Sequence, residues 1–547
     1  MHKTSSAHSE RRRAKTVAAI QAALAAGDIA RAADLAEAAL AKNERDPMLL
    51  NLAAWRREEA GDYQGAHRLL RQALALAPGD VLVLGAIGAV LRKEGRLDEA
   101  LAVLDQVVAA EPRHGAAWLE RGYTLDSLRN DTEARDSYLR ALTVDPQLAP
   151  ALGRLADAAA RRGEVAPAHD FAQRALALEP HDPAATFALA TLAIEARDGL
   201  DAERRLATLL GSAIKGDDRT RALTLMGDAL DRQDRTQEAF ARYDAAQANF
   251  RESFAAALAP GPQRPSHRDY IERIAAQVAA APAPASPPPP ELVEGEAATH
   301  VFLFGYPRSG TTLVENVLAS APGVVALEER DTLTDTDDVL VMNDGTMPDL
   351  DAVPAEQIAA LRAAYWQRVR GYAGDVAGKH FIDMNPLGGT KLPIIARLFP
   401  QARILLMRRD PRDIVLSCYR INFSPSPAAW AFSDLEDAAR HYAALMTLTE
   451  LCRERLPLAF HEVRYDRLVS DFEGEVRAMA QFVGLEWTEA FRRFDRTART
   501  RGVQTASATQ VRRGLYDGRG QWRRYADQLA PALPILQPWV ERFGFEP

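Results

Sequence analysis

The strongest constraint on how this chain of 547 residues can fold is a period of 34 residues in its N-terminal part. Pro78, Pro112, Pro146 and Pro180 recur at that interval, as do Ala32, Ala66, Ala100, Ala134 and Ala168. Gly27, Gly61, Gly95 and Gly163 keep the register, with Arg129 in the one gap, and Ala39, Ala73, Ala141 and Ala175 add a row interrupted by Val107. The glycine suits a tight turn between two helices, and the alanine five residues on lets the second helix approach the first closely. The proline closes the unit because it cannot continue a helix. Each unit, such as 81–114, is therefore expected to be a helix–turn–helix that buries its apolar face only by stacking on its neighbours.

These positions resemble the tetratricopeptide repeat over roughly residues 14–250. The stretch 184–250 is degraded, although Gly227 and Ala239 keep the spacing. The resemblance implies an all-α solenoid with a concave surface for peptides or partner proteins, the plainer role being a spacer or oligomerisation arm. Composition agrees with a packed chain, at 47% hydrophobic and 26% charged residues. A net charge of −8 argues against a general nucleic-acid binder. The only cysteines, Cys418 and Cys452, fall in segments that read as helical, so no disulfide framework or cysteine zinc site is expected. Met1 to Arg13 has no apolar run behind it, and no stretch is apolar enough to span a bilayer. A cytoplasmic protein without a membrane partner is expected.

Pro260, Pro262 and Pro265 break the helical pattern, a short helix is predicted over 267–280, and APAPASPPPP (281–290) favours extended polyproline geometry. The expected organisation is thus a repeat array at 14–250, a Pro-rich linker at 251–297 and a second domain at 298–547.

That domain opens with its most informative segment. Val301 to Phe304 form a wholly apolar run of the kind that makes a buried parallel strand. Gly305-Tyr306-Pro307-Arg308-Ser309-Gly310-Thr311-Thr312 follows, and then an amphipathic helix. A strand, a glycine-bearing turn and a helix start aim several backbone N–H groups at one point, which suits an anion. The spacing is that of a phosphate loop, G-x-x-x-x-G-x-T, but Thr311 stands where a nucleotide triphosphatase needs lysine, and Arg308 lies upstream. ATP or GTP chemistry is disfavoured.

The run P-R-S-G-T-T resembles the 5′-phosphosulfate loop of sulfotransferases that use 3′-phosphoadenosine 5′-phosphosulfate (PAPS), particularly tyrosylprotein sulfotransferases and related bacterial enzymes. The resemblance implies that Pro307, Arg308, Ser309, Gly310, Thr311 and Thr312 hold the donor's 5′-phosphate. It also implies that Arg308 neutralises charge on the bridging oxygen as the sulfuryl group leaves. A second strand, basic turn and helix follow in ARILLMRRDPRDIVLSCY (402–419). It looks like the family's 3′-phosphate motif, an arginine and a serine eight residues later, here Arg409 and Ser417, with Arg412 as a third contact. FHEVRYDRLVSD (460–471) is similar to the family's late strand and loop. TASATQVRRGLYDGRGQWRRY (505–525) resembles the segment that folds over the nucleotide, which offers Ser507, Arg512, Arg513 and Arg519 to phosphate and Trp522 for packing.

Sulfuryl transfer to a hydroxyl needs positive groups on the transferring oxygens and a base for the acceptor's proton. In tyrosylprotein sulfotransferases the base is a glutamate of an E-E pair after the loop helix, which corresponds to Glu328 or Glu329, with Glu328 favoured; no metal is required. His380 is a weaker candidate, since other sulfotransferases use a histidine. One position departs from the family pattern. Where relatives carry D-K-x-P, this chain has Asp383-Met384-Asn385-Pro386, leaving Lys379 or Lys391 as stand-ins for the lysine. The fold expected for 298–547 is an α/β domain of P-loop-like type, a parallel sheet flanked by helices. The expected activity is PAPS-dependent transfer to an acceptor hydroxyl, protein or peptide tyrosine being the natural guess, with the repeats recruiting the acceptor or a protein partner. The alternative is a repeat scaffold that binds the nucleotide but turns over poorly.

Overall fold

The computed structural model describes residues 2–282, 293–342, 345–501 and 508–546, and forms two compact units. The first comprises Met1–Ala160 and Glu164–Leu189, and the second begins in earnest at Ala190.

In the first unit, antiparallel helix pairs follow the period read from the sequence, for example Pro47–Glu59 with Tyr63–Leu76 and Val81–Lys93 with Leu97–Ala110. Ala32, Ala66, Ala100, Ala134 and Ala168 are all buried, as close helix approach requires. The turn position demands a left-handed backbone: Gly27, Gly61, Gly95 and Gly163 have φ between 74° and 79°, and Arg129 is held at 58° in the gap. Aspartates and an asparagine cap the helices, as at Asp28, Asp46, Asp62, Asp80 and Asn130, each accepting a backbone N–H of the first turn.

The second unit contains three further repeat-type helices, Gly199–Leu210, Gly216–Asp231 and Thr236–Leu258, together with the whole sheet domain. The repeat geometry persists there although the sequence signal fades. A Cβ on Gly227 would lie 2.4 Å from the Tyr243 ring, the same close packing that Gly122 shows against Tyr138 at 2.3 Å. The expected linker is only partly an extended spacer. The helix predicted over 267–280 forms as His267–Ala280 and packs on Leu435–Arg455, while residues 283–292 lie outside the described residues.

Five parallel strands form the sheet: β1 (Thr299–Phe304), β2 (Val324–Glu328), β3 (His380–Met384), β4 (Arg403–Arg408) and β5 (Ala459–Arg464), in the order β2-β3-β1-β4-β5. Both faces are covered, which explains the unbroken apolar run at 301–304. Phe302, Phe304, Phe381, Ile404 and Leu406 face one core with the helices Ala355–Ala373 and Leu435–Arg455. Val301, Leu303, Ile382, Met384, Leu405 and Met407 face the other, with Thr311–Ala319 and Phe472–Val483. Cys418 and Cys452 are buried, free thiols within helices. Among the described residues, no helix is long and apolar enough to cross a membrane.

Candidate active site

The sheet order changes direction between β1 and its neighbour β4, and ligands of parallel sheets bind beyond the carboxyl ends of strands at such a point. Both predicted anion loops leave these two strands. The first runs from Gly305 into the helix Thr311–Ala319, whose N-cap, Gly310, supplies no side-chain cap. The Leu313 N–H turns back to the Gly310 carbonyl at 3.0 Å, so this helix start is closed by backbone and not by a capping side chain. Gly310 has φ 112°, and a Cβ there would meet Met407 at 2.8 Å and Tyr465 at 3.1 Å, so the loop must pass close to both. Ser309 is buried and braces the turn, its Oγ accepting from the Tyr306 N–H at 3.3 Å. The Tyr306 hydroxyl is hydrogen-bonded to His441 Nδ1 at 2.8 Å, and His441 Nε2 to His267 Nδ1 at 2.7 Å. Burial depresses both imidazoles, His267 to about 4, so the chain is a neutral brace beneath the loop.

Arg308 adopts the left-handed region at φ 70° without being glycine, a strained conformation of a kind that clusters at functional sites. Its Nε donates to Ser417 Oγ at 3.1 Å, and its Nη2 to Gln510 at 3.3 Å. Burial, with Arg409 adding repulsion, pulls its guanidinium down to about 10. Arg409, from the second loop, donates to the carbonyls of Arg308 at 2.9 Å and Gly518 at 2.6 Å and lies over the Tyr465 ring. Its buried Nε has no hydrogen-bond partner among the described residues. Arg308, Gly310, Arg409, Ser417, Tyr465 and Arg513 together line a cavity of about 380 Å³. Ser309, Thr311 and Thr312 are buried next to it, and the Pro307 carbonyl accepts from Cys418 at 3.4 Å.

Several candidates are placed elsewhere. Arg412 is turned onto Asp410 at 2.7 Å, onto the Glu546 carbonyl and onto the Trp522 ring, so it braces the second loop instead of lining the cavity. Arg519 pairs with Asp517 at 2.8 Å, at the surface. Arg512 is buried away from the cavity lining, and its neighbour Arg513 takes that place. Ser507 lies outside the described residues. His380 begins β3, and Lys379 precedes it, at the end of the sheet opposite the loops; Lys379 donates to the Asp375 carbonyl at 2.7 Å. Lys391 is held by Asp337 at 2.7 Å and Tyr270 at 3.2 Å. Met384, in the lysine's place, is fully buried in the core with Val314 and Leu405.

Glu328 ends β2, paired in register with Met384, and Glu329 turns away at φ 45° with its N–H donating to the Met384 carbonyl at 2.8 Å. Beside them is a carboxylate that sequence reasoning missed. Glu315, one turn into the loop helix, is fully buried and bound to Arg501 at 2.8 Å. Burial drives its carboxyl up to about 7; Arg501 opposes this, and the charges of Glu328 and Glu329 add to it. The signal was a charged residue in an otherwise apolar stretch, L-V-E-N-V-L.

Residues 300–489 match the model of the sulfotransferase family, and residues 58–120 and 115–148 match models of the tetratricopeptide repeat. An uncharacterized protein of Aquifex aeolicus (strain VF5) is 27% identical over 248 residues, covering 43% of this chain and 32% of that protein. Protein-tyrosine sulfotransferase 1 of Danio rerio is 22% identical over 45% of this chain and 72% of its own length. The sulfotransferase Stf3 of Mycobacterium tuberculosis (strain CDC 1551 / Oshkosh), which acts on omega-hydroxy-beta-dihydromenaquinone-9, is 31% identical over 20% of this chain and 29% of its own. The chain thus spans about a third of the length of the Aquifex and mycobacterial relatives. Taken with the two loops on β1 and β4, these matches identify a chain with tetratricopeptide repeats in its N-terminal region and a sulfotransferase-family domain at residues 300–489.

Proposed function

We propose that this protein transfers a sulfuryl group from PAPS to an acceptor hydroxyl. The observation that carries the reading is the Arg308–Ser417 hydrogen bond, which links the two anion loops across one cavity that both line. The residues present fit such a ligand. A buried arginine nitrogen lacks a partner at Arg409, the Gly310 turn leaves no room for a side chain, and the helix N-terminus has no side-chain cap.

In this reading the loop backbone at 310–312 and the hydroxyls of Thr311 and Thr312 hold the 5′-phosphate, while the Ser309 amide braces the turn on the Tyr306 carbonyl at 3.0 Å. Arg409 and Ser417 hold the 3′-phosphate, with Arg513 at the cavity's edge. The acceptor oxygen attacks sulfur in line while the bond from sulfur to the 5′-phosphate oxygen breaks. Arg308 offsets the charge gathering on that leaving oxygen. A carboxylate of the Glu328–Glu329 pair takes the acceptor's proton. The acceptor class we propose is protein or peptide tyrosine, the substrate named for the Danio rerio relative, with the repeats recruiting the acceptor protein.

Incubating the protein with PAPS and a tyrosine-containing peptide pool, and following adenosine 3′,5′-bisphosphate, tests this. Peptide-dependent product that disappears in Arg308→Ala supports the reading. Tight nucleotide binding without product would leave the scaffold role, and no binding would sink the assignment.

A further inference from the structure

The cavity between the two loops is not built by the sheet domain alone. Thr191, Ile194, Glu195 and Leu225, from repeat-type helices of the same compact unit, form one of its walls. That wall is bolted in place. Arg420, directly after the helix carrying Ser417, packs against Asp231 at 3.1 Å and Asp228 at 3.7 Å. The Tyr419 hydroxyl donates to Asp244 at 2.6 Å, and the Tyr419 carbonyl accepts from Gln247 at 2.5 Å. On the other rim, Arg513 pairs with the Glu195 carboxylate at 3.2 Å and donates to the Glu195 carbonyl at 3.3 Å. Arg524 reaches Asp231 at 2.9 Å.

The lining is chemically mixed, and it includes Asp228 and Asp231, held by Arg420, and Asp413, which accepts from the Gly520 and Trp522 N–H groups. Arg308, Arg409 and Arg513 supply positive charge for phosphates. Ile194 and Leu225 are apolar, and Glu195 offers an oxygen, Oε1, that is buried with no hydrogen-bond partner among the described residues. An adenine nucleoside has the matching features: apolar faces for the two aliphatic side chains and N–H and O–H donors for a carboxylate oxygen. A cavity of about 380 Å³ suits one ligand of nucleotide size. We propose that the repeat segment after Ala190 is part of the donor site, with Ile194 and Leu225 contacting the nucleoside and Glu195 accepting a hydrogen bond from it. Glu195 also holds Arg513 at the phosphates. This inference rests on the PAPS reading above and adds that repeat residues, not only the two loops, set the donor's affinity.

The test is calorimetric titration of the full chain with adenosine 3′,5′-bisphosphate, alongside thermal melting. Leu225→Trp, which fills the wall, should weaken binding about tenfold or more, and Glu195→Ala roughly fivefold, whereas Leu225→Met should stay within about twofold. All are expected to melt like the wild type; should Leu225→Trp unfold, Glu195→Ala decides. Wild-type affinity in the folded Leu225→Trp and Glu195→Ala proteins would overturn the proposal. So would unchanged nucleotide affinity with a raised KM for a peptide acceptor, which would give the wall to the acceptor. A wild-type protein that fails to bind the nucleotide would instead overturn the sulfotransferase reading itself.

Discussion

Arg501 bridges Glu315 and the edge of β2, donating to the Glu315 carboxylate at 2.8 Å and to the Ala326 carbonyl at 2.7 Å. It holds a fully buried carboxyl beside the two glutamates proposed to supply the base. The folded-state pKa of Glu315, about 7, lies above its ordinary value of 4.5. The native state therefore binds more protons than the unfolded chain between those values, and Glu315 costs stability as pH rises through that window. Glu315→Gln should stabilise the protein relative to wild type at pH 8 and not at pH 4, a difference on the order of 2 kcal/mol. Denaturant unfolding at the two pH values measures it. An equal effect at both would show that the carboxyl is ionised throughout.

Arg308 combines a strained backbone with the role proposed for it at the leaving oxygen. Arg308→Gly should relieve the left-handed backbone and hold or raise stability by about 1 kcal/mol. The same change should lower sulfuryl transfer by roughly 10²-fold or more. Melting temperature and initial rate, read on one preparation, should move in opposite directions or the melting temperature should stay level. A parallel loss of both would make Arg308 a structural residue.

Individual Glu328→Gln and Glu329→Gln variants identify the base. The glutamate that takes the acceptor's proton should cost roughly 10²- to 10⁴-fold in kcat, and its neighbour less than about tenfold. Equal small losses in both would remove the pair from catalysis.

Met384→Lys restores the family's residue type but places an ammonium among Val314, Ile382 and Leu405. Loss of about 3 kcal/mol or more in stability is expected, with no gain in turnover. A folded, faster variant would show that this position opens onto the transferring group after all.

Arg420→Ala should destabilise the second unit. It removes one of three groups, with Arg524 and the Tyr525 hydroxyl, that hold the Asp231 carboxyl below its ordinary value against the cost of burial. Removing one cation from this partly buried network should cost about 1–3 kcal/mol, and urea unfolding at pH 7 reads it.

Much of this molecule is legible along the chain. The period of 34 predicts the helix pairs because the turn, the close approach and the unit's end each demand a residue type at a fixed spacing. The loops are legible for a similar reason. Strand, turn and helix start are contiguous, so Gly305–Thr312 and Arg408–Ser417 carry their local geometry with them. Local chemistry says less about where a long side chain goes. Arg412 and Arg519 read as phosphate ligands, yet each found a nearer aspartate, at Asp410 and Asp517. Met384 reads as a lost catalytic group and is a core residue.

By itself, then, the sequence determined the repeat units, the two strands that carry the anion loops and the loops themselves, because each depends on backbone preferences and apolar spacing within a few tens of residues. Tertiary structure decided which groups share a site. Arg308 meets Ser417 across 109 residues, and Arg501 meets Glu315 across 186. Leu225 reaches the same cavity wall as Ile194 through helix packing that no local pattern encodes. Such meetings depend on how the sheet closes and what each buried charge finds when water is removed, and the free energy of a buried ion belongs to its surroundings more than to its place in the chain.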